Sequence, residues 1–382
     1  MTLNATRSDL REGLAMRTTR ASFHDLLATL TEVSDRFAGE EWGITDPFDV
    51  AEAHRVLLHL LAAGLETQFE DDASMPAFRP IVSPWRKTLG DNADAIYHDA
   101  RVHPDGQYLV RGRTGGAIYV SFTVEAGAAD GSFPTGTVGV LNDTGCAVDD
   151  DGWFEFTVGG AGSDLPLTPD ASRITVRHYW EEADSPSRPP APDLALSIDL
   201  VGGDVPSAPR APSDELVAAN IDRLATFVRA RTMDAIAPPG SGEQPAFVSR
   251  VPHEFPPPVP PGDHALAAAD AAYSMAPYLL GPDEALVIDA AWPDCRCANV
   301  TLWNRQMQTF DYLRHPVSLN RVQTAGVRDD GSFTMVVAHE DPGVDNWLDT
   351  EGRPFGLVFW RFMLPEGPVV TPTARVVPVA DL

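Results

Sequence analysis

The chain of 382 residues has little cysteine, less lysine and no long apolar run. Three cysteines cannot build a disulfide framework, and Cys295-Arg296-Cys297 lacks a second Cys or His pair at zinc-binding spacing, so reduced thiols and no metal site are expected. Lys87 is the only lysine. Every other cationic side chain that is not histidine is therefore an arginine, a planar fork suited to carboxylates and useless as an amine nucleophile. Around Lys87, the string Trp85-Arg86-Lys87-Thr88 has no glycines to cradle a phosphate, which excludes a P-loop. Nowhere do about 18 apolar residues follow one another, and the N-terminus lacks the apolar core of a secretory leader. These absences predict a cytoplasmic protein. Positive charge is also scarce: Asp+Glu 55 against Lys+Arg 28 leaves a net charge of −27. Such a field repels phosphate backbones and anionic lipids, so neither nucleic acid nor a membrane is expected as a partner. The chain contains no Gly-x-Ser-x-Gly elbow and no dinucleotide glycine fingerprint, and Asp149-Asp150-Asp151-Gly152 lacks the alternation of a calcium loop. No cofactor is expected.

What is present is core material: 43% hydrophobic residues, with Phe 17, Trp 8 and Tyr 7. The length suits two or three domains. Residues 1–21 are expected to fray. Helical spacing follows in Phe23, Leu26, Leu27, Leu30, Val33 and Phe37 after a Ser22 cap, predicting a helix over 22–38. Pro47 at a permitted first-turn position opens a second over 47–66, and a Ser213 or Asp214 cap a third over 214–231. From about residue 80 the period becomes two, as in Ile118, Val120, Phe122 and Val124, or Val358, Trp360, Phe362 and Leu364, with Pro, Gly and Asp turns between such runs. Phe255-Pro256-Pro257-Pro258-Val259-Pro260-Pro261 reads as an extended polyproline connector, followed by a short Ala-rich helix from about His264 to Leu280. The predicted fold is mainly β: two linked antiparallel jelly-roll-like sandwiches at 80–212 and 283–382, a helical segment at 1–79, and a helical, proline-rich connector at 213–282.

Two loops collect chemistry. In Gly90-Asp91-Asn92-Ala93-Asp94-Ala95-Ile96-Tyr97, Asp91 and Asp94 are candidate acid–base groups and Asn92 and Tyr97 candidate ligand contacts; the competing reading is an Asx-turn. In His339 to Asp349, His339 and Asp341 are the second pair of catalytic candidates, with Asn346 and Trp347 as ligand contacts. Alternation also places His339 beside Phe333, Met335 and Val337, as a hydrogen-bonded core histidine. Pro342 and Gly343 argue for a rigid loop anchored by Trp347. Arg361 falls on the face of Leu357, Phe359 and Met363, where a guanidinium needs a carboxylate, as a structural pair or as a ligand clamp. Arg305, Asp311, Tyr312, Asn320 and Arg321 form a further polar run, of which Arg321 is a ligand-binding candidate.

Leu302-Trp303-Asn304-Arg305, Leu319-Asn320, Asp341-Pro342-Gly343 and Asn346-Trp347-Leu348-Asp349-Thr350 together resemble the C-terminal signature of the domain-of-unknown-function family numbered 1214. Gly90 to Asp94 and Tyr119-Val120-Ser121-Phe122 resemble its upstream half, which is like the family numbered 1254. The resemblance spans roughly residues 80–182 and 285–365; it implies paired jelly-roll-like sandwiches and self-association as a homo-oligomer, and it carries no settled activity. The expectation for function is recognition or processing of a small polar, carbohydrate-like molecule in a cleft between the β-domains; the other reading is a non-enzymatic assembly protein.

Overall fold

A computed structural model describes residues 17–206, 211–262 and 266–382. Residues 1–16, most of the segment expected to fray, and His264 lie outside the described residues. Three helices, α1 (Thr19–Arg36), α2 (Pro47–Gly64) and α3 (Asp214–Arg229), pack around their own core of Val33, Phe37, Leu60 and Leu224. Asp46 caps α2 by accepting from Phe48 N, Pro47 fills its first position, and Ser213 caps α3 by accepting from Leu216 N. The α1 cap is not Ser22 but Thr18, four residues earlier; Ser22 is buried inside the helix. Phe23 and Leu27 of the expected stripe are exposed, because only the Leu26, Val33 and Phe37 side of α1 meets α3 and its neighbours.

The first sandwich pairs a five-stranded sheet with a three-stranded one. The larger runs β1 (Arg79–Pro80), β2 (Ala95–Arg101), β7 (Ala171–Tyr179), β4 (Tyr119–Ala126), β5 (Gly136–Asn142) across its width; the smaller runs β6 (Trp153–Val158), β3 (Gly106–Arg113), β8 (Ser197–Gly203). Between them lie Tyr108, Phe122, Phe154, Phe156, Ile174 and Val176. The second sandwich is built from β14 (Trp347–Asp349), β13 (Ser332–Ala338), β10 (Glu284–Ala291), β16 (Thr373–Pro378) and, facing it, β12 (Ser318–Asn320), β11 (Cys297–Trp303), β15 (Phe355–Met363), β9 (Ala271–Leu279). Its core holds Trp292, Val300, Phe333, Trp360 and Phe362. Pairing is antiparallel except between β13 and β14, which run parallel. The mainly β, sandwich-type architecture is thus present.

One expected helix is a strand. Ala271–Leu279 lies along β15 over nine residue pairs, from Ala271 opposite Met363 to Leu279 opposite Phe355. Its sequence, AAYSMAPYL, is buried on both faces except at its last residue, so it lacks the alternation that marks a half-exposed strand. The proline-rich segment runs beside it: Val259 exchanges backbone hydrogen bonds with Tyr273, and Ser274 donates to Pro256 O at 2.7 Å. A stretch poor in amide donors thereby covers a sheet edge, where strands are prone to pair with other chains.

β4, β7 and β11 are likewise buried along their whole length. The cause is a sheet-on-sheet contact between sandwiches: Tyr97, Tyr119 and Tyr179 of the first meet Tyr273, Trp303, Phe359 and Met363 of the second. Along β4 the even positions Val120, Phe122 and Val124 fill the first core. The odd positions carry Tyr119, Ser121, Thr123 and Glu125 on the other face. The layer between the two inner sheets is therefore rich in buried polar side chains.

Candidate functional site

The turn before β2 is the most densely bonded part of that layer. Gly90 takes φ +75°, open to glycine at little cost, and donates its N–H to Met307 O at 2.9 Å. Asp91 is fully enclosed; its carboxylate accepts from Thr309 N at 2.7 Å and from the Thr309 hydroxyl. Burial raises its pKa, with Lys87 opposing. Lys87 sends its amine to Thr309 O at 2.7 Å and to Phe310 O, and stands 4.7 Å from the Tyr312 ring centre. Both groups stitch the first sandwich to the 304–310 loop of the second, so Asp91 is a brace with no free oxygen for a ligand. Asn92 accepts from Asp94 N at 3.1 Å, the Asx-turn of the competing reading, and from Asn299 Nδ2 at 2.6 Å.

Asp94 differs from its neighbours. Its carboxylate receives Asn299 Nδ2 at 2.7 Å on one oxygen and Asn320 Nδ2 at 3.3 Å on the other, neither donor charged. Burial pushes its carboxyl up to about 6, against the pull of those two amides. Asp94 also forms part of the lining of an open cleft of about 430 Å³. One wall is the 183–188 loop after β7; the other is formed by Tyr312, His315, Leu319 and Trp347 of the second sandwich.

Other candidates are placed as follows. Arg361 is buried, as its strand position implies, but among the described residues no carboxylate lies within ion-pair distance of it, Asp91 and Asp94 acting on it only from farther away: its Nη1 donates to Asn299 Oδ1 at 3.4 Å, and its guanidinium lies 4.9 Å from the Phe359 ring centre and 5.9 Å from that of Tyr273. Aromatic faces replace the anion. Arg321 is committed to Glu181 through Nε at 2.8 Å and Nη2 at 2.6 Å, and to the carbonyls of Cys295 and Arg296, leaving no fork for a ligand. Tyr97 packs edge-on to Tyr179 between the sandwiches.

In the second loop Asn346 adopts φ +57°, which asparagine tolerates better than most residues. Its amide clasps the chain, accepting from Ala325 N at 2.8 Å and donating to Ala325 O and Thr334 O, both at 2.9 Å. This fixes the entry to Trp347, half-buried, whose indole N–H donates to Ala338 O at 3.2 Å. Both residues line the cleft; His339 and Asp341 do not. His339 is held at both ring nitrogens, by Thr350 Oγ1 at 2.6 Å and Gly281 O at 3.2 Å, and Asp341 is exposed, accepting from Gly343 N at 2.8 Å where that glycine takes φ +76°.

No protein-family model matches the chain, and no curated protein matches it. Among solved structures it is similar to an uncharacterised protein from Burkholderia cenocepacia, with 27% identity, a TM-score of 0.78, and coverage of 95% of this chain and 98% of that one. It is also similar, more distantly, to the VPA0106 protein from Vibrio parahaemolyticus, with 12% identity, a TM-score of 0.48, and coverage of 85% and 98%. The Burkholderia protein shares the arrangement of this chain over nearly its whole length.

Two residues outside the candidates named from the sequence bear on the site, one beside Asp94 and one on the cleft wall. Asn299 does not line the cleft but links Asp94 to Arg361, donating to the first and accepting from the second; in the sequence it and Thr301 are the polar positions of a mostly apolar strand, and a polar residue there was the available signal. His315 lies on the cleft wall with Nδ1 2.8 Å from Asp349 Oδ2. Among the described residues no three His, Cys, Asp or Glu side chains gather where a metal ion could be held. The site offers a carboxyl that titrates near pH 6, amide donors and an aromatic side chain.

Proposed function

We propose that the cleft between the two sandwiches recognises a small hydroxyl-rich molecule of the carbohydrate type. The observation that carries this reading is Asp94: a buried carboxyl opening onto a cleft of about 430 Å³, a volume in the range of small-molecule sites. An acceptor fixed by two asparagines suits ligand hydroxyls, and Trp347 on the wall suits the apolar face of a sugar ring. Titration calorimetry with a panel of mono- and disaccharides tests it. At least one should bind the wild-type chain and lose affinity at least tenfold on Trp347→Ala; no binding across the panel contradicts the reading.

The same proposal places the protein in the cytoplasm, in the family numbered 1214, as a homo-oligomer without nucleic-acid or membrane partners. The net charge of −27 supports the exclusion of nucleic acid, and Phe23, Leu27, Leu58 and Leu65, large apolar side chains exposed on or beside the helices, support self-association. No helix among the described residues is long and apolar enough to cross a membrane.

A further inference from the structure

The described histidines are not used alike. His54 and His339 engage both ring nitrogens, as expected of side chains that hold the fold together. His315 engages one. Its Nδ1 meets Asp349 Oδ2 at 2.8 Å, while Nε2 has no partner among the described residues. Asp349 cannot swing away, because its other oxygen accepts from Glu351 N at 2.7 Å and its own N–H donates to Pro316 O at 2.8 Å. A carboxylate that fixes one nitrogen sets the imidazole's orientation and tautomer, leaving Nε2 as the working atom. The ring is on the wall of the cleft that holds Asp94.

We infer that His315, positioned by Asp349, and Asp94 form an acid–base pair that hydrolyses a glycosidic bond in the molecule bound between the sandwiches. This rests on the carbohydrate reading and goes beyond it, from recognition to reaction. Water supplies the nucleophile. Its oxygen bonds to the anomeric carbon as the bond from that carbon to the leaving oxygen breaks. His315 Nε2 takes one proton from the water, and the Asp94 carboxylic acid gives its proton to the leaving oxygen. The products are two hydroxylated fragments, and the pair, left as imidazolium and carboxylate, resets by exchanging one proton with solvent. The environment suits these roles: burial keeps Asp94 protonated to about pH 6, whereas His315 is exposed where water enters. Asp349 does not touch the ligand and acts as a positioning residue.

The test uses the full chain, a panel of 4-nitrophenyl glycosides followed by nitrophenolate release, and the matching free sugars followed by calorimetry. Wild type should turn over at least one glycoside. His315→Gln should lower kcat by about 100-fold or more with KM within about threefold, and sugar binding should persist. Added imidazole should restore turnover to His315→Gly, a rescue that a purely structural histidine would not show. Asp349→Asn should lower kcat at least about tenfold with little change in KM. Sugars that bind while no glycoside is cleaved would overturn the reaction and leave recognition standing. Wild-type turnover in His315→Gln would overturn the role of His315. Neither binding nor cleavage would overturn both proposals.

Discussion

Asp94 is held where folding penalises its charge. A carboxyl whose pKa rises from 3.8 to about 6 on folding binds its proton more tightly in the native chain, so stability falls as pH rises through that window and the full penalty stands above it. Asp94→Asn removes the penalty and should stabilise the protein at pH 7 by of order 3 kcal/mol, less whatever the amide loses against Asn299 and Asn320. The gain should vanish at pH 4. Urea denaturation of both chains at the two pH values checks this, and an equal difference at both would contradict it. His98 and His178 act in the opposite sense. Burial lowers their pKa to about 4 and about 3, so their neutral forms are fully compatible with the fold above about pH 6.5 and stability is lost as pH falls below it. His178, stacked on Trp180 and bonded to Arg113 O, should set much of that slope, and His178→Gln should flatten the loss between pH 6.5 and 4 in the same experiment. Asp94 was among the residues the sequence proposed, but nothing in its neighbours separated it from Asp91. Both sit in one turn, and only the partners that approach from the second sandwich, Thr309 for one and Asn299 for the other, make one a brace and the other a cleft residue.

At the scale of elements, the Asp341–Asp349 loop divides in two. Asp341, Gly343 and Asp345 are at the surface, whereas Asn346 to Asp349 are tied into β13 and the cleft. Asn346→Ala should cost about 2–4 kcal/mol, from three lost hydrogen bonds and a positive φ that alanine adopts poorly; Asn346→Gly should cost less, since glycine accepts that backbone. Equal losses, read by thermal or urea unfolding, would contradict the role given to φ. His339→Gln should lower stability by about 1–2 kcal/mol and leave sugar binding unchanged, because both ring nitrogens are spent on Thr350 and Gly281. The anchoring Trp347 and the turn glycine were legible from residue types. That the loop serves two surfaces was not, since it follows from the parallel pairing of β14 with β13, which no local pattern announces. The misread strand Ala271–Leu279 failed for a related reason: alternation vanishes when both faces of a strand are buried.

For the whole molecule, the decisive feature is the contact between the inner sheets, where Tyr97, Tyr179, Tyr273, Phe359 and the buried Arg361 meet. The mainly β architecture and two of three helix starts could be read from period and capping residues. The face-to-face stacking could not, because a polar residue at alternate strand positions, such as Thr123 or Asn299, reads as solvent-facing until a second sheet covers it. In the proposed function, this stacking leaves an open cleft, lined in part by Asp94, that holds a small hydroxylated ligand. The most direct measurement is a crystal structure of the chain with the tightest-binding sugar of the panel. Sugar density is expected between the 183–188 loop and Trp347, with a ligand hydroxyl within hydrogen-bonding distance, about 2.5–3.0 Å, of the Asp94 carboxyl. Density at another surface of the molecule, with this cleft empty, would contradict it.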